Sequence, residues 1–518
     1  MFVWYLVTMA QAGAVVQNEM PARGGRTWAI CGQGRGERAI CTQKALRVEL
    51  RSAYDVTVTL FPWKVRMIRI FSISLGCPKN RVDTEHALGF SASVRLVRTP
   101  EKADCIFINT CGFIAPAIEE SVRTIVEHVD RVSQLPEGKR PLLVVAGCLV
   151  SRFGKEVLAP DLPEVDLFLD AAELDEWKSR IWQALEARKK MHGAGKANAR
   201  RVKPGVPRLL GTTAPSYAYL KISEGCRHAC SFCTIPSIRG KLHSTPEEVL
   251  RDEAVFLLGQ GVKELVVVAQ DVTAWGRDCK KKLPHLLDAI LPLPGLLRLR
   301  LMYLYPAGLD EELLSYLAGL GVDSPFVPYF DVPVQHAAPE VLSRMGRPFA
   351  TNPRKAVDRI RSFFPEAVLR TSLIVGFPGE SEGDFTRLHE FIEEVRFHHL
   401  GVFTYYPEEG TPAADMDGQI EDRVKSWRRD VLMEAQGAIS EELLAAYTGS
   451  VQEVLVDAPH GEWPGLHTGR TWFQAPETDG ITYVSGPGVR PGAMVTADIM
   501  ESKVYDLVAL VAPEGEAG

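Results

Sequence analysis

Beyond residue 66 the apolar positions alternate between short β-rich runs and longer stretches with helical spacing. Met67-Ile68-Arg69-Ile70-Phe71-Ser72-Ile73 opens this pattern abruptly as a strand, and Asp104 to Asn109, Leu142 to Ala146 and Asp166 to Leu169 continue it. Strands separated by helical stretches predict a parallel sheet with crossover helices, an amino-terminal α/β domain over 67–187. Six further strand-then-helix units follow, with strands near Tyr217 to Ile222, Glu264 to Ala269, Leu297 to Met302, Tyr329 to Val334, Leu369 to Val375 and Leu400 to Tyr405. They predict a partial (β/α)6, TIM-like barrel over 216–446. Thr245-Pro246-Glu247-Glu248 has the order of a capping box, with Thr245 at the helix cap and Pro246 in the first turn. Past Tyr447, short alternating runs at Val451 to Val456, Ile481 to Val484 and Met494 to Met500, between Gly and Pro turns, predict a small antiparallel β-barrel over 447–512, with 513–518 as a tail.

Residues 188–215 are rich in Lys, Arg, Gly and Pro and read as a linker. Its bases, Arg200, Arg201, Lys203 and Arg208, read as a solvated charge run, because no aromatic or fold context supports nucleic-acid binding. The leader, 1–66, opens with the apolar run Phe2 to Val16 and has no clear periodicity. No basic residue precedes that run, which argues against an export signal. The expectation is a start assigned upstream of the true one at Met67, or a disordered leader, and Cys31 and Cys41 within it are given no function.

Composition sets the class. With 518 residues, 46% hydrophobic and 24% charged, the chain is long enough for three globular domains and is not disordered throughout. Ten cysteines without an export signal point to a reducing compartment, hence the cytoplasm, with no membrane association expected.

Placement matters more than number for these cysteines. Glu224-Gly225-Cys226-Arg227-His228-Ala229-Cys230-Ser231-Phe232-Cys233 spaces three thiols as Cys-x3-Cys-x2-Cys just after the first barrel strand, where barrel active sites lie. Three thiolates on one loop can hold three irons of a cubane cluster and leave the fourth open to bind and reduce a small molecule. Zinc is the alternative, although zinc sites usually draw paired ligands from two places. His228, between two of the cysteines, reads as a spectator. A second trio follows the first three strands of the amino-terminal domain: Cys77 in Leu75-Gly76-Cys77-Pro78-Lys79-Asn80, Cys111 in Asn109-Thr110-Cys111-Gly112, and Cys148 in Ala146-Gly147-Cys148. The carboxyl ends of parallel strands share one edge, so these thiols can converge. The plainer reading is three buried small hydrophobes. That reading suits Cys105, inside an apolar strand, while Cys279 reads as a surface thiol.

The Cys226 loop resembles the signature of the radical S-adenosylmethionine (SAM) enzymes. With the three-cysteine domain before it, the chain from Met67 to about Pro513 resembles the methylthiotransferases of that superfamily, which insert sulfur at an unactivated carbon and methylate it. The resemblance implies a radical SAM barrel and two 4Fe-4S clusters. Cys226, Cys230 and Cys233 would hold the one that cleaves SAM to a deoxyadenosyl radical, and Cys77, Cys111 and Cys148 the one that presents sulfur methylated by a second SAM. It also implies a reductant such as flavodoxin or ferredoxin. Phe232 would shield the cluster beside the nucleoside. Ile374 and Gly376, in Thr371-Ser372-Leu373-Ile374-Val375-Gly376-Phe377-Pro378-Gly379-Glu380, would let backbone approach the adenosine.

Two subfamilies divide the target, one acting on adenosine in transfer RNA and one on an aspartate of small-subunit ribosomal protein S-twelve. Ser74-Leu75-Gly76-Cys77-Pro78-Lys79-Asn80, Asn109-Thr110-Cys111-Gly112-Phe113-Ile114, Gln270-Asp271-Val272-Thr273-Ala274-Trp275-Gly276-Arg277-Asp278, Val334-Gln335-His336 and Glu408-Glu409-Gly410-Thr411 resemble the second. Trp275 replaces a usual tyrosine and Val272 a frequent threonine. The terminal barrel resembles TRAM, usually an RNA-binding module. Here acids including Asp457, Glu462, Glu477, Asp479, Asp498, Glu501 and Asp506 outnumber the bases Arg470, Arg490 and Lys503, which suits a basic protein better than phosphate. The expected activity is methylthiolation of an aspartate β-carbon on S-twelve, free or in the ribosome, with RNA contact secondary. A transfer-RNA methylthiotransferase and a non-catalytic iron-sulfur scaffold or ribosome-assembly protein are the alternatives.

Overall fold

A computed structural model describes residues 67–91, 93–191, 207–211, 216–347 and 352–512, together with five short leader strands. The chain divides into two units, Met1–Met67 and Ile68–Gly518. In the first, Val15–Gln17, Trp28–Cys31, Arg38–Thr42, Ala45–Leu50 and Val56–Leu60 pair antiparallel in sequence order, where the sequence pattern predicts no element. Arg200, Arg201, Lys203, the tail 513–518 and most of the run from Phe2 lie outside the described residues.

The second unit begins with five parallel strands: Ile68–Ser74 (β1), Val94–Leu96 (β2), Cys105–Thr110 (β3), Leu142–Gly147 (β4) and Leu167–Asp170 (β5), in the order β5-β4-β3-β1-β2. β3 and β4 are buried along their whole length. Phe107 and Val144 face Trp177 and Ile181 on one side, while Ile106 and Val145 face Ile125 and Val129 on the other. Burial on both faces is why these strands read as continuous apolar runs. The chain reverses its direction of travel between β1 and β3, and an open sheet forms its binding crevice at such a point, beyond the carboxyl ends.

Six parallel strands follow in sequence order: Tyr217–Lys221 (β6), Glu264–Val268 (β7), Arg298–Leu301 (β8), Phe326–Asp331 (β9), Val368–Val375 (β10) and His399–Thr404 (β11). Their outward residues, such as Leu220, Leu265 and Leu299, pack on Leu250, Leu286 and Leu314 of the helices. The expected capping box is not formed. Helix Glu247–Gly259 begins with Pro246 at the cap and no side-chain cap. Thr245 instead extends the preceding segment, its N–H bonded to the Ile222 carbonyl and its carbonyl accepting from the Trp275 indole.

The last five strands, Val451–Pro459 (β12), His467–Arg470 (β13), Thr482–Ser485 (β14), Met494–Ser502 (β15) and Leu507–Leu510 (β16), close a barrel in the order β12-β13-β14-β16-β15. All pairs are antiparallel except β14 with β16. It docks on the amino ends of the six-stranded sheet. Tyr217 donates to Glu477 at 2.8 Å, Arg298 to the carbonyls of Arg470 and Glu453 at 3.0 and 2.9 Å, and Arg470 to Glu264 at 2.6 Å. The carboxyl ends, where the chemistry of this architecture lies, are left to the amino-terminal domain.

That domain is held by charge. Arg208, expected in solvent, is only 1% exposed. It pairs with Glu85 of helix Pro78–Leu88 and, at 2.8 Å, with Glu253 of helix Glu247–Gly259, and donates to the Tyr219 carbonyl at 2.6 Å. Burial alone would raise the Glu253 carboxyl, but His86 and Arg208 hold it down to about 2. Burial likewise opposes ionisation of Glu264, and Arg470, Arg300 and Arg298 lower it to about 2.

Removing one partner from a buried ionic group leaves an uncompensated charge, which costs about 3–5 kcal/mol. Arg208→Met should therefore lose about that much in urea unfolding, whereas Arg69→Ala, which breaks an exposed pair with Asp104, should lose at most about 1 kcal/mol. Because the folded pKa values of Glu253 and Glu264 are depressed, their stabilisation is complete above the ordinary value of 4.5 and is lost as pH falls towards about 2. Unfolding free energies measured from pH 7 to pH 2.5, about two units either side of that ordinary value, should decline only in the acid half of the range.

Candidate functional site

Three loops at one sheet edge carry the first trio. Cys77 caps helix Pro78–Leu88 after β1, Cys111 follows β3 directly, and Cys148 begins helix Cys148–Phe153 after β4. Since β4, β3 and β1 are neighbours, the three thiols share one edge. Asn80 ties the loops together by donating to the carbonyls of Leu75 and Thr110, both at 2.9 Å. Gly76 adopts φ +81°, and a β-carbon there would stand 2.8 Å from the Cys111 β-carbon and 3.0 Å from its sulfur. Only glycine lets the Cys77 loop lie this close.

The second trio lies on the loop between β6 and the short helix Ile235–Arg239. Cys226 N–H bonds the Gly240 carbonyl at 3.1 Å, and its sulfur accepts from His228 N–H at 3.4 Å. Ser231 clamps the loop from below, its N–H on the Met345 carbonyl and its hydroxyl on the Arg344 carbonyl. The His228 ring is committed elsewhere, 2.7 Å from Asp271 and stacked 3.8 Å from Tyr305, in keeping with a spectator.

Burial pushes the thiols of Cys111 and Cys233 up to about 12, and those of Cys148, Cys226 and Cys230 in the same direction. Two arginines act against it. Arg239 Nε stands 3.2 Å from Cys148 Sγ, and the Arg347 guanidinium beside Cys230 lowers its thiol. Buried thiols become thiolates when a metal replaces the proton, and a fixed cation offsets the negative charge of the resulting centre. Among the described residues no three His, Cys, Asp or Glu side chains converge on a single metal ion. A cubane spreads its thiolates over different irons, so two all-thiol trios with adjacent arginines fit iron-sulfur ligation.

Phe232 is half-buried in an apolar pocket with Met345, Phe377, Tyr405 and Ala413, and Ile374 packs on the same cluster. The two form one wall beside the Cys226 loop. Gly376 has a packing role of its own. It adopts φ +75°, its N–H donates to Glu380 at 2.6 Å, and the place of its missing side chain is taken by Lys425, whose Cγ lies 2.2 Å from a β-carbon built there. Cys105 is fully buried and Cys279 is exposed.

The trios face each other across the domain boundary. Thr234, next to Cys233, donates to the carbonyl of Phe113, two residues from Cys111, at 3.3 Å. Arg239 reaches from the Cys226 loop's helix to Asp83 at 2.7 Å and Glu224 at 3.2 Å, while Lys221 pairs with the same two acids. Glu408 accepts from Ala115 N–H at 2.7 Å and from Arg152 at 2.8 Å. Arg239 has nothing local in the sequence to mark it, and Glu408 only its place in the stretch Glu408 to Thr411, so their roles emerge only when the domains meet.

Residues 69–170 match the model of uncharacterized protein family UPF0004, 220–392 that of the radical SAM superfamily, and 448–511 that of the TRAM domain. A ribosomal protein uS12 methylthiotransferase RimO from Nitratidesulfovibrio vulgaris is 63% identical over 86% of this chain and 100% of its own. Proteins of the same name from Lawsonia intracellularis and Aquifex aeolicus are 54% and 42% identical, over 86% and 85% of this chain and 98% and 96% of theirs. Among solved structures, the radical S-adenosylmethionine methyltransferase TsrM from Kitasatospora setae aligns over 78% of this chain and 80% of its own, with 15% identity and a TM-score of 0.47. With 63% identity spanning a relative's whole length, the chain belongs to the RimO family of radical SAM methylthiotransferases.

Proposed function

We propose that this protein methylthiolates the β-carbon of an aspartate on ribosomal protein uS12, using SAM as radical source and methyl donor, with one 4Fe-4S cluster on each cysteine trio. The observation that carries this reading is the pairing of the two trios at facing strand edges, with Thr234 on Phe113 and Arg239 on Cys148. Such clusters supply one-electron chemistry towards SAM and a site for sulfur. The chain's own residues do the rest. Arg239 and Arg347 balance charge at Cys148 and Cys230. Phe232 and Ile374 give the Cys226 loop an apolar wall that keeps water out.

The terminal barrel favours a protein target. Arg470 is buried and turned inward to Glu264 and Asp457, which leaves Arg490 and Lys503 as surface bases against Glu453, Glu462, Asp498 and Glu501. A surface of that sign repels phosphate and attracts a basic ribosomal protein. No helix among the described residues is long and apolar enough to cross a membrane. Domain boundaries at 67–187, 216–446 and 447–512 and a cytoplasmic setting complete the reading.

Mass spectrometry of uS12 and of transfer RNA from a deletion strain tests the target. The aspartate should lose its methylthio mass while transfer RNA stays unchanged, and unaltered uS12 refutes the assignment. Cys230→Ala should abolish deoxyadenosine formation, whereas Cys111→Ala should retain part of it and form no methylthio product. Equal loss in both, with the barrel cluster intact, contradicts the division of labour. Gly76→Ala, which drives a methyl group into Cys111, should lower bound iron by about half, as expected if one cluster of two is lost. Iron analysis with Cys230→Ala as the complementary variant reads this directly.

A further inference from the structure

The cations around the two trios are nearly all spoken for. Arg239 and Lys221 share Asp83 and Glu224, Arg152 holds Glu408, and Arg370 holds Asp331 at 2.9 Å. Arg347 donates to the Pro333 carbonyl and acts electrostatically on Cys230. Lys79 is different. It is half-buried, its ammonium lies 3.5 Å from the centre of the Tyr303 ring and within electrostatic reach of Cys77 and Asp331, and no carboxylate among the described residues forms an ion pair with it. Asp331, near Tyr303, is already bound to the Tyr303 N–H at 2.9 Å and to Arg370.

Its position is as informative as its lack of an ion pair. Lys79 is two residues from Cys77 and projects from the amino-terminal domain onto the segment that follows β8. Tyr303 in that segment adopts φ +58°, a left-handed conformation that is uncommon for a bulky residue and concentrates at functional sites. Tyr305, two residues on, stacks on His228 of the Cys226 loop and carries Arg347 over its ring at 4.6 Å. One short stretch of backbone therefore meets the loops that carry both trios, with an ammonium in no ion pair above it.

We infer that Lys79 is a specificity-determining residue that binds the carboxylate of the target aspartate, an inference that rests on the function proposed above. A side-chain carboxylate is bonded directly to the β-carbon, so an ammonium holding it fixes the reacting carbon to within one bond. The Tyr303 ring supports the ammonium without neutralising it, because an aromatic face attracts a cation yet adds no net charge. An adenosine target offers no such anion at its reacting carbon, so the same lysine discriminates between the two classes of substrate.

The test uses the reconstituted full chain and two labelled uS12 peptides, one with the target aspartate and one with asparagine in its place, read by fluorescence anisotropy. The wild type should bind the aspartate peptide about 10- to 100-fold more tightly, the range expected for a charge-assisted hydrogen bond. Lys79→Gln should bring the ratio close to one with bound iron retained, and Lys79→Arg should keep most of the preference. A lysine that only packs on Tyr303 would leave the ratio unmoved by Lys79→Gln, and that result overturns the assignment. Equal binding of both peptides by the wild type overturns it as well, without any variant. If neither peptide binds and transfer RNA is modified instead, the functional reading falls and takes this assignment with it.

Discussion

A charge buried in protein persists only where opposite charge and hydrogen bonds replace water, and such charges fix helix Pro78–Leu88 against the six-stranded barrel. Asp83 meets Lys221 and Arg239, Glu85 meets Arg208, and Arg81 meets Glu477 of the terminal barrel. The helix buries Asn80, Asp83, Thr84 and Glu85 along with its apolar residues, so it docks only where partners for all of them exist. Apolar contact would permit sliding. Directional ion pairs set one register, and that register decides what Cys77, at the head of the helix, faces.

From this docking the site follows. The amino-terminal sheet offers its crevice at the β1 and β3 carboxyl ends, and the barrel offers its mouth at the carboxyl end of β6. Each fold provides a place for a reactive centre, but neither alone provides two. Arg239 joins them: it is the last residue of the helix after the Cys226 loop, pairs with Asp83 across the boundary and touches Cys148. The terminal barrel closes the amino ends of the same strands through Arg298, Arg470 and Glu264, so chemistry is confined to the opposite end.

Most of this architecture was legible in the sequence because β3 and β4, β6 to β11 and both cysteine trios carry local signals: continuous apolar runs, helical spacing and thiols at strand ends. What escaped was set by tertiary contact. Val94–Leu96 and Leu507–Leu510 are too short to show a period. Arg208 sits in a charged, unpatterned linker, and only the meeting of Glu85 with Glu253 gives it a buried place. Thr245 has the residues of a capping box around it, yet its backbone is already engaged by Ile222 and Trp275. The packing of Lys425 against Gly376 likewise depends on a helix far along the chain.

The central claim is that the two trios hold two clusters close enough to serve one substrate. Paramagnetic resonance of the fully reduced, reconstituted protein measures this through the magnetic interaction between them. Two clusters facing across the boundary should give a spectrum broadened by mutual coupling, different from the sum of the spectra of Cys111→Ala and Cys230→Ala. A spectrum equal to that sum would place the clusters apart and contradict the account.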